Sequence, residues 1–273
     1  MDWLFKAALT TAMVLFVMLV ARRSGRRWAG VAAALPTITA PTLAWLVHER
    51  GVDFAVSAAI ASISACAMLA LFSVGYALAS RRRGTLVALV CGMAAALALA
   101  WPAFSASASL LDALLLGLGC SALALVSCNA LALLAIPRGH VEAAPHRRAR
   151  PSLAGVALAA GGLTAIAATA GPMLGSFATG LLSSLPVISA AVAMVEHAHG
   201  GHRAAAGFLR GYAWGLFGKA AFGAVFVLLA PQIGAASALA LACGCAGLMS
   251  LMQPGSLAAD ATVHSGYPRR GWE

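Results

Sequence analysis

A chain of 273 residues with 62% apolar and only 10% charged residues, at a mean hydropathy of +0.90, is too apolar for a soluble domain, where about a quarter of residues are charged. It reads as an all-α, polytopic membrane protein whose first partner is the lipid bilayer. A net charge of +10 would ordinarily suggest nucleic acid, but the arginines fall in short gaps between apolar runs, the pattern of cytoplasmic loops, so no nucleic-acid partner is expected.

A bilayer core about 30 Å thick takes about 20 helical residues to cross. By that measure the sequence holds about nine spans. The first, 4–21, is followed rather than preceded by Arg22, Arg23, Arg26 and Arg27, the reverse of a signal peptide, so it is expected to be retained. The second, 29–47, contains Pro36 and Pro41, and His48-Glu49-Arg50-Gly51 turns the chain. The third, 54–80, ends at Arg81, Arg82 and Arg83, and the fourth, 85–100, is closed by Trp101-Pro102. The fifth is 110–136. A basic loop over 137–151, holding Arg138, Arg147, Arg148 and Arg150, leads to the sixth span at 153–170. The seventh, 177–195, contains Pro186, and the polar stretch from Glu196 to Arg203 reads as a turn before the eighth at 204–230. Pro231-Gln232 precedes the ninth, 233–252, and a polar tail covers 253–273. The six cysteines all lie inside apolar runs and read as small packing residues.

Two stretches repeat. Gly30, Leu35, Pro36, Ile38 and Ala40 recur 150 residues later as Gly180, Leu185, Pro186, Ile188 and Ala190. The offset continues through Gly51 and Gly201, then Gly84 and Gly234. Spans one to four thus map onto six to nine, with span five as connector, a 4+1+4 plan. Its parts are a first repeat over 1–101, a connector with its basic loop over 102–151, a second repeat over 152–252, and the tail over 253–273. Five spans separate the two starts, and five is odd, so the second repeat must cross the membrane upside down. Charge agrees: with the N-terminus periplasmic and the C-terminus cytoplasmic, only Lys6, Arg50 and the intramembrane Lys219 among the Lys and Arg fall outside cytoplasmic segments. Inverted repeats with interrupted helices near the midplane recur in secondary transporters.

The candidate binding residues follow from the interruptions. A proline inside a span frees backbone groups that hydrocarbon cannot satisfy, so Pro36, Pro41 and Pro186 mark where a polar solute could be held. The hydroxyls of Thr37, Thr39, Ser184 and Ser189 flank them, either lining a site or bonding back to their own helix. Lys219 is the deepest charge. It shares a four-residue repeat with Gly207, Gly211, Gly215 and Gly223, which puts it on a helix face open to close packing, as do Ser57, Ala61, Ala65, Leu69 and Ser73 in the first copy. Lys219 is suited to bind an anion or carry a proton; the bland readings are an amine bonded to freed carbonyls or a snorkelling side chain. Arg210 is expected to snorkel, Tyr212 and Trp214 to be interface aromatics, Asp112 to be wet, and Asn129 to cross-link helices. Glu196, His197, His199 and His202 read as a solvated turn rather than a metal site. No catalytic signature is present, and neither a cofactor nor an enzyme activity is expected.

Ala29-Gly30, Pro36-Thr37 and Glu49-Arg50-Gly51, spaced behind a first apolar run, resemble the small GlpM-type bacterial inner-membrane proteins. The likeness covers roughly 4–80 and more faintly 153–230, as if this chain were a duplicated, enlarged relative. The second copy departs from the pattern, with Val187 where the first has Thr37 and no Glu-Arg-Gly at its turn. The resemblance implies a bacterial inner membrane and a link to exopolysaccharide production. Two functional readings therefore stand: a secondary transporter of a small solute or ion, and a non-transporting accessory protein supporting envelope or exopolysaccharide assembly.

Overall fold

The computed structural model describes residues 26–36, 39–133, 175–182 and 186–252, with isolated positions at 8, 12, 16, 19, 23 and 173. Every element in them is helical: α1 (Arg26–Ala34), α2 (Thr39–Arg50), α3 (Val52–Ser80), α4 (Thr85–Leu97), α5 (Ala100–Ala106), α6 (Leu110–Leu133), α7 (Ser176–Leu182), α8 (Val187–Ile233) and α9 (Ala235–Leu251). The expected spans 4–21 and 153–170, the loop 137–151 and the tail lie outside the described residues, as do Thr37, Ser183 and Ser184. In hydrocarbon a helix satisfies its own backbone, and runs of Ala and Leu favour it intrinsically.

Five stretches among the described residues are long and apolar enough to cross a membrane: Trp28–Arg50, Val52–Ser80, Thr85–Ala106, Leu110–Leu131 and Ile188–Ile233; Ala235–Leu251 is a shorter apolar helix. Ile188–Ile233 is 46 residues long, about 69 Å of helix against a core of about 30 Å. It cannot be one straight crossing, and it is not straight. Gly201 has φ 71° and ψ −169°, and there the helix folds back, so that Ile188, Val192 and Val195 share a core with Ala205, Phe208 and Leu209. The expected turn between spans seven and eight is therefore helical up to a single glycine hinge. Gly51, at φ 87° and ψ 171°, separates α2 from α3 in the same way, and Leu43 and Leu46 share a core with Ala55, Ala58 and Ala59. This corner of backbone space is in practice reserved for glycine.

Other features recur at the same offset of 150. The buried stripe of α4 is Ala88, Gly92 and Ala96, and that of α9 is Ala238, Ala242 and Ala246. Phe72 and Tyr76 of α3 are fully buried, as are Phe222 and Phe226 of α8 to within 1%. The packing is crossed: α1 lies along α8, α7 lies along α3, α4 covers α3, and α9 covers α8. The outer face of α4 carries Leu86, Val87, Val90 and Leu97, all exposed, as a helix presented to lipid requires. One boundary differs from expectation. Trp101-Pro102 does not close the fourth segment; the helix turns at 98–99 and restarts at Ala100, placing Pro102 in the first turn of α5, where its missing N–H costs no helical bond.

Candidate functional site

Both interrupting prolines are buried, and both start a helix rather than bending one. Ala40 N donates to Pro36 O at 2.8 Å, and Ala190 N donates to Pro186 O at 2.6 Å. Each proline thus supplies the first carbonyl of the arm that follows, at a position where its own lack of an N–H is harmless. Upstream, Leu35 N closes the last turn of α1 on Val31 O at 3.1 Å. A helix ending at Ala34 leaves its last carbonyls without helical donors, so the first break presents the negative end of α1.

The register of α1 on α8 fixes what faces that break. A Cβ on Gly30 would collide with Phe208 O, with Tyr212 N at 2.5 Å and with the carbonyl carbon of Gly211 at 2.9 Å. One turn on, a Cβ on Gly215 would meet Ala34 Cβ at 2.6 Å and Val31 O at 2.9 Å. Four residues along α1 match four along α8, so the next turn of α8, at Lys219, stands level with the break after Ala34. A turn further, Gly223 abuts Ile63 of α3, at 2.5 Å from where its Cβ would be. Of the four glycines sharing the lysine's face, Gly215 and Gly223 therefore serve close packing, and the backbone of Gly211 lies against Gly30. Gly207 does not, having nothing within 4 Å, and in the first copy Ser57 is exposed, bonded to Asp53 O.

Lys219 itself is only 7% exposed. Its sequence neighbour Ala220 packs with Ile63, Cys66 and Ala113, and the ammonium lies within electrostatic reach of the Cys66 thiol. Among the described residues no carboxylate pairs with it and no hydrogen bond reaches it. The negative end of a helix favours a cation by about 0.3–2 kcal/mol. Desolvating the ion costs several kcal/mol, so the α1 terminus alone does not compensate the charge.

A second polar chain converges on the same crossing. Tyr212 is 3% exposed and hydrogen-bonds Ser189, whose hydroxyl donates to Pro186 O at 3.2 Å. The hinge at Gly201 brings these two residues of one helix together. Tyr212 is thus no interface aromatic: it packs with Ala34, Leu69 and Leu216, and Cys66 lies within its electrostatic reach too. Thr39 is buried at 3%, the counterpart of Ser189. Pro41 is exposed in the first turn of α2, so it faces away from this cluster and does not line it. Thr37 and Ser184 lie outside the described residues.

Sequence reasoning missed other groups. Arg210 is half-buried, with its Nε buried and without a partner among the described residues, as are Trp214 Nε1 and Asn129 Oδ1, and Arg210 lies within electrostatic reach of Cys128 on α6. His197 is not merely solvated; its Nδ1 stands 3.4 Å from Tyr76 Oη, with the rings edge to face at 5.9 Å. Asp112 is exposed. Among the described residues no three His, Cys, Asp or Glu side chains converge as metal ligands. Tyr212 and Lys219, seven apart and so two turns along one face, were readable as a pair; Cys66 depends on how α3 crosses α8 and was not. Comparison of the chain with protein-family models, with characterised proteins and with solved structures finds no match.

Proposed function

We propose that this chain is a secondary transporter of a small solute, working by alternating access around the breaks at Pro36 and Pro186. The observation that carries the reading is Lys219, a buried charge with no partner among the described residues, level with a helix break. Cells rarely keep such a charge in an apolar bundle without use for it, since intramembrane ionisable residues mark solute and ion pathways. The frame would be two inverted four-helix repeats in a bacterial inner membrane, with the N-terminus periplasmic and the C-terminus cytoplasmic. Supporting it are the five long apolar stretches, the glycine hinges at 51 and 201, and the matching Pro–Ala hydrogen bonds at both breaks. The crossed packing of α1 on α8 and α7 on α3 suits rocking of one repeat against the other.

The resemblance of the first copy to GlpM-type proteins favours the rival, an accessory role in envelope or exopolysaccharide assembly. A metabolite-uptake screen separates the two. A deletion strain should lose uptake of at least one small solute, recovered by the wild-type gene but not by Lys219→Ala present at equal membrane level. Restored polysaccharide output with no change in any uptake would support the accessory role instead.

A further inference from the structure

We infer that the solute bound at this crossing is a small anion, a monatomic ion or an oxyanion or carboxylate of a few atoms, held by the Lys219 ammonium. The inference gives the transport reading its substrate class and rests on it for the pathway, though the binding can be tested alone.

The argument begins with charge. Lys219 is 7% exposed, and an ammonium has three N–H donors and no acceptor. A buried charge needs a counter-charge, and the described residues offer none. Of the chain's eight carboxylates, Asp2, Glu142, Asp260 and Glu273 stand outside every apolar run. Glu49 and Asp53 are exposed beside the Gly51 hinge, and Glu196 sits near the hinge at Gly201. Asp112 adjoins Ala113, which packs near Ala220, yet is itself exposed. From the elements packed around Lys219 come Cys66 of α3, Ala34 of α1 one turn away, Ala113 of α6 and Ser250 of α9, which reaches Gly218 but spends its hydroxyl proton on Ala246 O at 2.8 Å. None is anionic in the way a carboxylate is. With no counter-charge among the described residues, a ligand from outside the chain is the partner that fits the ammonium.

Size follows from the neighbours on the same face. One turn before Lys219, Gly215 is closed off by Val31 and Ala34; one turn after, Gly223 is closed off by Ile63. Close packing on both sides leaves a ligand no more than the lysine's own turn, which favours few-atom ions over large organic anions.

The test uses the purified full-length protein in detergent, melted in sodium chloride, formate, acetate, nitrate and phosphate, with gluconate as the bulky control, all at one ionic strength. At least one few-atom anion should raise the melting temperature of the wild type with the logarithmic concentration dependence of a bound ligand, and gluconate should not. Lys219→Met, which replaces the charge with an apolar chain of similar length, should fold and lose the response. A wild type that melts alike in all six salts, or a Lys219→Met protein that keeps the response, overturns the inference. If Lys219→Met does not accumulate, Lys219→Arg decides: a longer, forked cation must change the order of preference among the anions, and an unchanged order places the site elsewhere. Anion binding without transport would leave this site and remove the pathway; transport without any anion response would do the reverse.

Discussion

Replacing Gly30 by alanine probes the contact that sets Lys219 opposite the first break. The new methyl would stand 2.5 Å from Tyr212 N and 2.9 Å from the carbonyl carbon of Gly211, with Phe208 O closer still. Carbon atoms pack at about 3.5–4.0 Å, so α1 must retreat from α8 by about 1 Å. All three obstacles are backbone atoms of one helix, and none can rotate aside. A gap of that size forfeits between a quarter and half of the local dispersion energy, and overpacking of this kind costs about 1–3 kcal/mol; the rigid obstacle argues for the upper end. For a chain of this size that is a fall in melting temperature of about 6–12 °C. The control is Gly207→Ala, on α8, where nothing lies within 4 Å of the added methyl. There alanine only improves helix propensity, by about 1 kcal/mol, and the melting temperature should hold or rise. The measurement is thermal unfolding of both purified variants in one detergent. A Gly30→Ala protein as stable as Gly207→Ala would refute the close crossing and, with it, the register that aligns Lys219 with the break.

Gly201→Ala should destabilise by about 1–3 kcal/mol despite open space around it, because φ 71° with ψ −169° is strained for any side chain; thermal melts check this, and an unchanged midpoint would mean the hinge is not as described. Tyr76→Phe should cost no more than about 1 kcal/mol, since its 3.4 Å bond to His197 is long. His197→Ala should cost more, because it also removes the ring contact, and reversal of that order in the same assay would show the pair does not tie α8 to α3. A cysteine placed within 137–151, in a background lacking the native cysteines, should resist an impermeant thiol reagent added to intact cells; ready labelling would overturn the assigned orientation.

How far the sequence could be read differed by feature. The helices and their apolar character follow from composition, because hydrocarbon permits little else. The two hinges were foreshadowed by Gly51 and Gly201 standing 150 apart, since a repeated glycine marks a backbone demand and not a side-chain one. Burial of Lys219 was legible from the glycines sharing its face, although Gly207 turned out to pack against nothing. The fate of Tyr212 was not legible: an aromatic near a helix end reads as an interface anchor, and only the fold-back at Gly201 reveals Ser189 as its partner. Pro41 misled for a related reason. A proline in an apolar run suggests a break, yet the break is already complete at Pro36, and Pro41 occupies the first turn of the new helix, where proline is tolerated. The buried atoms of the half-buried Arg210, Trp214 and Asn129 were not legible, because their surroundings depend on neighbouring helices.

The central claim, alternating access around the breaks at Pro36 and Pro186, is tested most directly at Ser189. It is 1% exposed and bonded to the second break, and cysteine is nearly isosteric with it. Ser189→Cys, as the sole cysteine in the chain, would be exposed to an impermeant thiol reagent in right-side-out and in inverted membrane vesicles. The account predicts labelling from both sides, slowed when transported solute is added. Labelling from neither side, under conditions where a surface cysteine reacts fully, would mean a bundle packed shut at its centre and would contradict transport.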